Sequence, residues 1–217
     1  MNPKDRYDAT GLIEEQYEPG SRRRVLRNLL GIRSKRAMDK EEKKAIYQSL
    51  ERLHHAFDRS HRFLADDIRR IHSDWLGKIY PWAGRYRHVD LTKDEFRFAH
   101  AAYVPALMAE LEQGPLARYT PCAAGPIEKV AEALAVVHGE LVLIHPFREG
   151  NGRVARTLAT LMAFQVDYPP LEFRSISGKG KAAYVAAIHA CLDRDYRPLT
   201  AVFEAILVDS VSPKKSA

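Results

Sequence analysis

Only two cysteines, Cys122 and Cys191, occur in 217 residues. Two thiols cannot build a disulfide framework, and their separation lacks the paired spacing of a metal-ligand set. Long apolar runs are also missing. The longest, such as Leu141-Val-Leu-Ile144, fall far short of the roughly 20 residues that a membrane-crossing helix needs. The first residues, Met1-Asn-Pro-Lys-Asp-Arg6, carry no apolar stretch of the secretory kind, so the expected location is the reducing cytoplasm and no membrane partner is expected. Hydrophobic residues at 46% and charged residues at 29% exclude a disordered or fibrous chain. A chain of this size can bury a core as one domain, without crosslinks or structural metal.

The formal charge of +6 comes partly from one dense segment, where Arg22, Arg23, Arg24, Arg27, Arg33, Lys35 and Arg36 cluster. Val25, Leu26, Leu29 and Leu30 lie between the arginines, so the segment reads as an amphipathic helix with a solvated basic face. No aromatics interleave with the cluster and no helix-turn-helix turn follows, which argues against nucleic acid as a partner.

Residues 1–20 are polar and rich in turn formers, and read as an amino-terminal arm. Residues 21–211 read as one domain, and 212–217 as a basic tail. Within the domain, Ser21 is expected to cap a short helix that Gly31 closes, and Asp39 to cap a longer one carrying Ile46, Leu50, Leu53 and Phe57. Ser60 is placed at the start of another, with Ile68, Ile71 and Trp75. The pattern changes after Pro81-Trp-Ala-Gly84: alternation through Tyr86, His88 and Asp90, then Thr92-Lys-Asp-Glu95 and Phe96-Arg-Phe98, predicts a β-hairpin over 82–98. Helical spacing returns at Tyr103, Leu107 and Leu111. Residues 126–144 are apolar around most of the circumference and predict a central buried helix, in which His138 is a hydrogen-bonded core residue. A further helix follows Gly152, with Val154, Leu158, Leu161, Met162 and Gln165 on a packed face and Arg153, Arg156, Thr157 and Thr160 on an available one. Two more span Gly178–Leu192 and Tyr196–Val211. The fold class is therefore all-α, a compact helical bundle with one β-hairpin.

Between the central helix and its successor stands His145-Pro-Phe-Arg-Glu-Gly-Asn-Gly-Arg-Val-Ala-Arg156. Glycines that let amides converge, followed by a helix amino terminus, make an anion-binding nest. Arg153 and Arg156 stand three apart and can fork onto phosphate oxygens. Glu149 is out of place beside a bare phosphate, but fits as a ligand to magnesium bound with a polyphosphate. His145 adjoins the nest as the natural general base, with a pKa expected near neutrality from the balance of helix end and neighbouring cations. Phe147 is expected to point into the core and pin the loop.

This segment resembles the motif of the Fic family, His-x-Phe-x-(Asp/Glu)-Gly-Asn-Gly-Arg-x-x-Arg, at every defined position. The resemblance implies a Fic-type helical bundle whose hairpin is a substrate-docking flap, and transfer of AMP from ATP to a Tyr, Thr or Ser hydroxyl of a target protein. It implies His145 as base, Glu149 on Mg2+, and Gly150, Asn151 and Gly152 lining an anion hole. Arg153 and Arg156 then clamp the β- and γ-phosphates, Tyr184 contacts adenine, and Thr92 and Lys93 at the flap tip position the target. UMP, GMP, phosphate or phosphocholine transfer are the alternatives within the fold; a silent nucleotide- or nucleic-acid-binding module is the alternative outside it. Many relatives carry an inhibitory (Ser/Thr)-x-x-x-Glu-(Gly/Asn) motif whose glutamate pairs with the second arginine, here Arg156. Thr10-Gly-Leu-Ile-Glu14-Glu15 matches it only in part, which implies a toxin-like form held by a separate small antitoxin. A topoisomerase subunit is the kind of target the resemblance implies.

Overall fold

The computed structural model describes residues 12–93 and 96–212. Most of the expected amino-terminal arm, the hairpin tip Asp94-Glu95 and nearly all of the basic tail lie outside the described residues, as do Thr10 and Gly11 of the partial inhibitory motif.

The described chain is helical, with α1 Lys35–Ala56, α2 Ala65–Leu76, α3 Val104–Leu111, a short α4 Ala117–Tyr119, α5 Ile127–Ile144, α6 Asn151–Phe164, α7 Lys181–Ala190 and α8 Arg197–Val211. Helix α5 is the axis. Its Val130, Leu134, Val137 and Leu141 are at most 1% exposed, and it packs chiefly against α8, through Leu199, Phe203 and Leu207, and against α6. Burying side chains of this size stabilises by about 1.5–3 kcal/mol each, which makes this layer the main source of cohesion. No helix among the described residues is long and apolar enough to cross a membrane.

Helix α6 departs from expectation in having no open face along its length. Thr157 and Thr160 are buried, because α1 and α2 pack on the side opposite α5. Its partly exposed residues are Gly152, Arg153 and Arg156 in its first two turns and Phe164 at its end. Helix α1 is capped by Ser34, five residues before the expected Asp39, and the Ser34 hydroxyl accepts the Ala37 amide. Helix α2 starts at Ala65 instead of near Ser60, since Ser60 is held in a turn by Asp58 and the Asp67 carboxylate accepts the Leu64 amide.

From Arg22 to Arg33 the basic segment is not a helix; only Lys35 and Arg36 are helical, at the start of α1. Arg22 and Arg23 have φ of 54° and 58°, Tyr17 bridges Leu26, and the buried Asn28 side chain bonds the backbone at Leu26, Leu30 and Ile32. An asparagine that satisfies so many local backbone groups holds a loop where apolar spacing alone would allow a helix. The hairpin is shorter than expected. Strands β1 Thr92–Lys93 and β2 Phe96–Arg97 pair antiparallel, Thr92 with Arg97 and Lys93 with Phe96, while residues 82–91 form turns and extended chain.

Candidate active site

Helix α5 ends in a left-handed residue, His145, at φ 53° and ψ 57°. Pro146 follows, so the chain must leave the helix there. The loop then folds on its own side chains. Asn151 accepts the Phe147 amide and donates to the Phe147 carbonyl, both at 2.7 Å, closing the loop onto the first turn of α6. Phe147 is fully buried, as expected, and its ring stacks on His72 at 3.9 Å. His72 Nδ1 accepts the Gly84 amide at 2.7 Å, which leaves Nε2 to donate to the Glu149 carbonyl at 3.1 Å. Burial holds this imidazole neutral by lowering its pKa to about 4. Gly150, at φ +86°, lies so close to Trp75 that a Cβ would stand 2.7 Å from the indole.

Above the loop opens a cavity of about 860 Å³, large enough for a nucleotide. Five cationic side chains border it, Lys93, Arg148, Arg153, Arg156 and Lys181, against one carboxylate, Glu149. The first amides of α6, at Asn151 and Gly152, have no acceptor among the described residues, and the helix dipole adds positive potential there. Gly152 differs from Gly150. A Cβ on it would meet only Arg156 Nη1, at 3.5 Å, so its missing side chain leaves space that belongs to the cavity.

The two arginines are held differently. Arg153 donates to the buried Glu42 of α1 at 2.6 Å and to Glu149 at 3.2 Å, and its guanidinium lies over Trp75. The other Glu42 oxygen accepts the Tyr80 hydroxyl. Arg156 has no carboxylate partner among the described residues; it lies between Gly152, Tyr184 and the Phe173 ring, and burial lowers its pKa from the usual arginine value. Glu149 is half exposed, and no cluster of three acidic, histidine or cysteine ligands occurs among the described residues. One carboxylate beside an anion nest suits a hard cation that takes its remaining ligands from phosphate and water, as Mg2+ does.

His145 Nδ1 lies 3.0 Å from the Val142 carbonyl, and the ring stacks on Phe98 at 3.6 Å. The bond to Val142 places the proton on Nδ1 and leaves the Nε2 lone pair as the acceptor. Burial takes the pKa from 6.5 to about 4, well below the near-neutral value expected, because desolvation outweighs the helix end. Beneath it, the Arg87 side chain donates to the His145 carbonyl at 2.7 Å. Tyr184 lines the cavity beside Arg156, with its hydroxyl 2.9 Å from His138 Nε2, and burial pushes the phenol up to about 12. His138 is thus the bonded core residue expected.

The structure brings His145, Glu149, Gly150, Asn151, Gly152, Arg153, Arg156, Tyr184 and Lys93 to this one cavity. Thr92 is exposed on β1 and does not line it. Asn151 turns its side chain into the loop and offers the cavity only its backbone. Glu14 lies away from Arg156: its carboxylate accepts the His88 amide at 2.7 Å and its carbonyl accepts Arg148 Nε at 2.9 Å. Sequence reasoning missed Glu42, His72 and Arg87, which join the motif over long sequence separations. A second cavity, about 910 Å³, lies across α5 between α3 and the start of α8. Five carboxylates and three arginines line it, so size alone does not make it an anion site.

A left-handed histidine at a helix end, a closed loop and a cationic nest at the next helix meet in one cavity of a helical bundle. The sequence model of the Fic/DOC family matches residues 62–163, which contain the run from His145 to Arg156 and the hairpin, but not Glu42, Lys181 or Tyr184. Over those residues the chain belongs to the Fic/DOC family. It is 32% identical over 145 residues to the protein adenylyltransferase VbhT of Bartonella schoenbuchensis, covering 66% of this chain and 30% of VbhT. It is also 32% identical over 139 residues to the protein adenylyltransferase fic-1 of Caenorhabditis briggsae, covering 64% of this chain and 26% of the relative. The chain thus spans less than a third of the length of these relatives. In fold it is similar to the BepC effector of Bartonella tribocorum with bound AMPPNP, at a TM-score of 0.67 and 21% identity over 88% of this chain and 93% of the other.

Proposed function

We propose that the chain transfers AMP from ATP to a Tyr, Thr or Ser hydroxyl of a target protein. The observation that carries this reading is the position of His145, whose one free ring nitrogen belongs to the same cavity as the unpartnered α6 amides and Arg156. Two similar proteins are described as protein adenylyltransferases, and a structural neighbour holds an ATP analogue.

In this mechanism His145 Nε2 takes the proton of the target hydroxyl, and the oxygen attacks the α-phosphorus. The bond to the bridging oxygen breaks and pyrophosphate leaves. The backbone at Gly150, Asn151 and Gly152 receives the charge on the α-phosphate, and fixed amides do so without reorganising. Arg156, free of carboxylates, takes the outer phosphates with Arg153, and Tyr184 walls the adenine end. Glu149 would hold Mg2+, which would supply charge neutralisation beside the phosphates. Lys93 and Thr92 guide an extended target segment along the hairpin.

Residues 21–211 form the catalytic domain in this reading, acting in the cytoplasm. Restraint falls to a separate small antitoxin protein, because Arg156 has no acidic partner among the described residues and Glu14 is engaged elsewhere. A topoisomerase subunit is the proposed class of target. The test is to incubate cell lysate with ATP labelled at the α- or the γ-phosphate, beside His145→Ala. Label on protein from the α-position only, lost by 10³-fold or so in the variant, is the expected result for removal of an essential base. Label from the γ-position would overturn it. Activation of the purified chain by deleting its first 20 residues would overturn the antitoxin.

A further inference from the structure

Arg87 is a buried arginine with no close ion partner. Its side chain is 0% exposed, and the nearest carboxylate, Asp90, is 3.9 Å away and 47% exposed. A guanidinium in that position is costly unless its donors are satisfied. They are satisfied by main-chain carbonyls from two places. Two belong to the end of α5: Nε donates to His145 at 2.7 Å and Nη2 reaches Ile144 at 3.3 Å. Two bracket the hairpin: Nη1 donates to Val89 at 2.7 Å, ahead of β1, and Nη2 donates to Ala99 at 2.5 Å, after β2. The Arg87 amide adds a bond to the Pro146 carbonyl at 2.9 Å.

The last carbonyls of a helix have no internal partners and carry its negative end. At α5 those groups adjoin the base. One cation therefore closes the helix end and, with the same planar fork, fixes both roots of the hairpin against it. Phe98, between the second root and β2, is the residue stacked on the His145 ring. A hairpin of two-residue strands has little pairing of its own to set its height above the cavity.

We infer that Arg87 is a positioning residue that couples the hairpin to His145, so that the acceptor segment and the base are held in one frame independently of the nucleotide. Its consequence for transfer rests on the proposed adenylyl transfer; the coupling does not. Lysine keeps the charge but cannot serve four carbonyls in a plane.

The test compares the chain with Arg87→Lys and Arg87→Met in three measurements. Transfer of α-label to lysate protein is expected to fall on the order of 10²-fold, the scale of a misplacement near 1 Å. Affinity for MgATP by calorimetry is expected to stay within about threefold, since Arg87 does not line the cavity. The His145 ring resonances, assigned against His145→Ala, are expected upfield in the parent because of the Phe98 stack, and to move toward ordinary histidine positions in both variants. Should Arg87→Met fail to fold, Arg87→Lys carries the same three readings. Unchanged His145 resonances in a folded variant overturn the coupling, even if the chain transfers no label at all. Equal loss of nucleotide affinity and transfer also overturns it, by making Arg87 a support of the whole site.

Discussion

The two walls of the cavity are built by opposite means. On the motif wall, Phe147, Asn151 and Gly150 are buried, and the loop is closed by short bonds from Asn151 and His72 and by the Trp75 ring. On the hairpin wall, Lys93 is exposed, as is its neighbour Thr92 outside the cavity, and the strands are two residues long. Histidines behind the motif loop and beside the hairpin differ in the same way: His72 and His138 are at most 1% exposed, whereas the His88 and His100 side chains are 72% and 60% exposed. A rigid wall suits groups that must meet a phosphate in fixed geometry. A lightly held one suits a surface that must accept a protein segment.

The sharpest way to break this contrast uses the two glycines of the motif wall. Gly150→Ala puts a Cβ into a left-handed residue and against Trp75, so it is expected to cost about 2–4 kcal/mol from backbone strain and overpacking together. Transfer and denaturant stability should both fall. Gly152→Ala meets only the end of Arg156, so the fold should keep its stability to within about 1 kcal/mol while nucleotide affinity falls tenfold or more. If the two variants lost stability equally, the distinction between a glycine that packs and a glycine that makes room would be wrong.

The histidines give the next effect, in stability against pH. His72, His145 and His138 are neutral in the folded chain, with burial lowering them from 6.5 to about 4, about 4 and about 3. The unfolded chain binds their protons near 6.5, so it holds more protons than the folded one below that pH. Their contribution is present above pH 6.5 and is lost as pH falls toward 4, at up to about 1.4 kcal/mol per pH unit for each. Urea unfolding at pH 7.5, 5.5 and 4.5 measures it. In transfer assays, a His145 base that stays neutral to about pH 4 predicts no loss of rate near pH 6.5 on its account.

Much of the motif wall was legible in sequence because its parts are contiguous. His145 to Arg156 is one local run, and α5 announces itself by apolar residues around its circumference. The partners that fix the run were not legible: Glu42, His72 and Arg87 stand 111, 77 and 58 residues from the atoms they bond. The hairpin misled for a related reason. Arg87 and Val89 do alternate inward with outward His88 and Asp90, but the inward arginine bonds the end of α5 instead of a neighbouring strand. Period-two burial was read as pairing when it reflected one buried cation. In the basic segment, the apolar spacing of Val25 and Leu29 fits a helix, and only the fold shows Asn28 organising a loop that leaves Leu29 exposed.

The smallest expected effect tests the lightly held wall. Lys93 is exposed and pairs through its backbone with Phe96, so its side chain contributes little to the fold. Lys93→Glu should therefore change unfolding free energy by no more than about 0.5 kcal/mol, as for an ordinary surface substitution. The same side chain borders the cavity, where reversal of its charge faces both the nucleotide and any incoming segment. Two outcomes separate those roles. If Lys93 serves the acceptor, the variant keeps MgATP affinity within about threefold and labels a different set of lysate bands, weakest for acidic segments that the lysine attracted. If it serves the nucleotide, every band fades together and affinity falls with them. The second outcome would make the hairpin part of the phosphate site and remove the contrast between the walls, since a group that must hold phosphate would then sit on a support of two residue pairs.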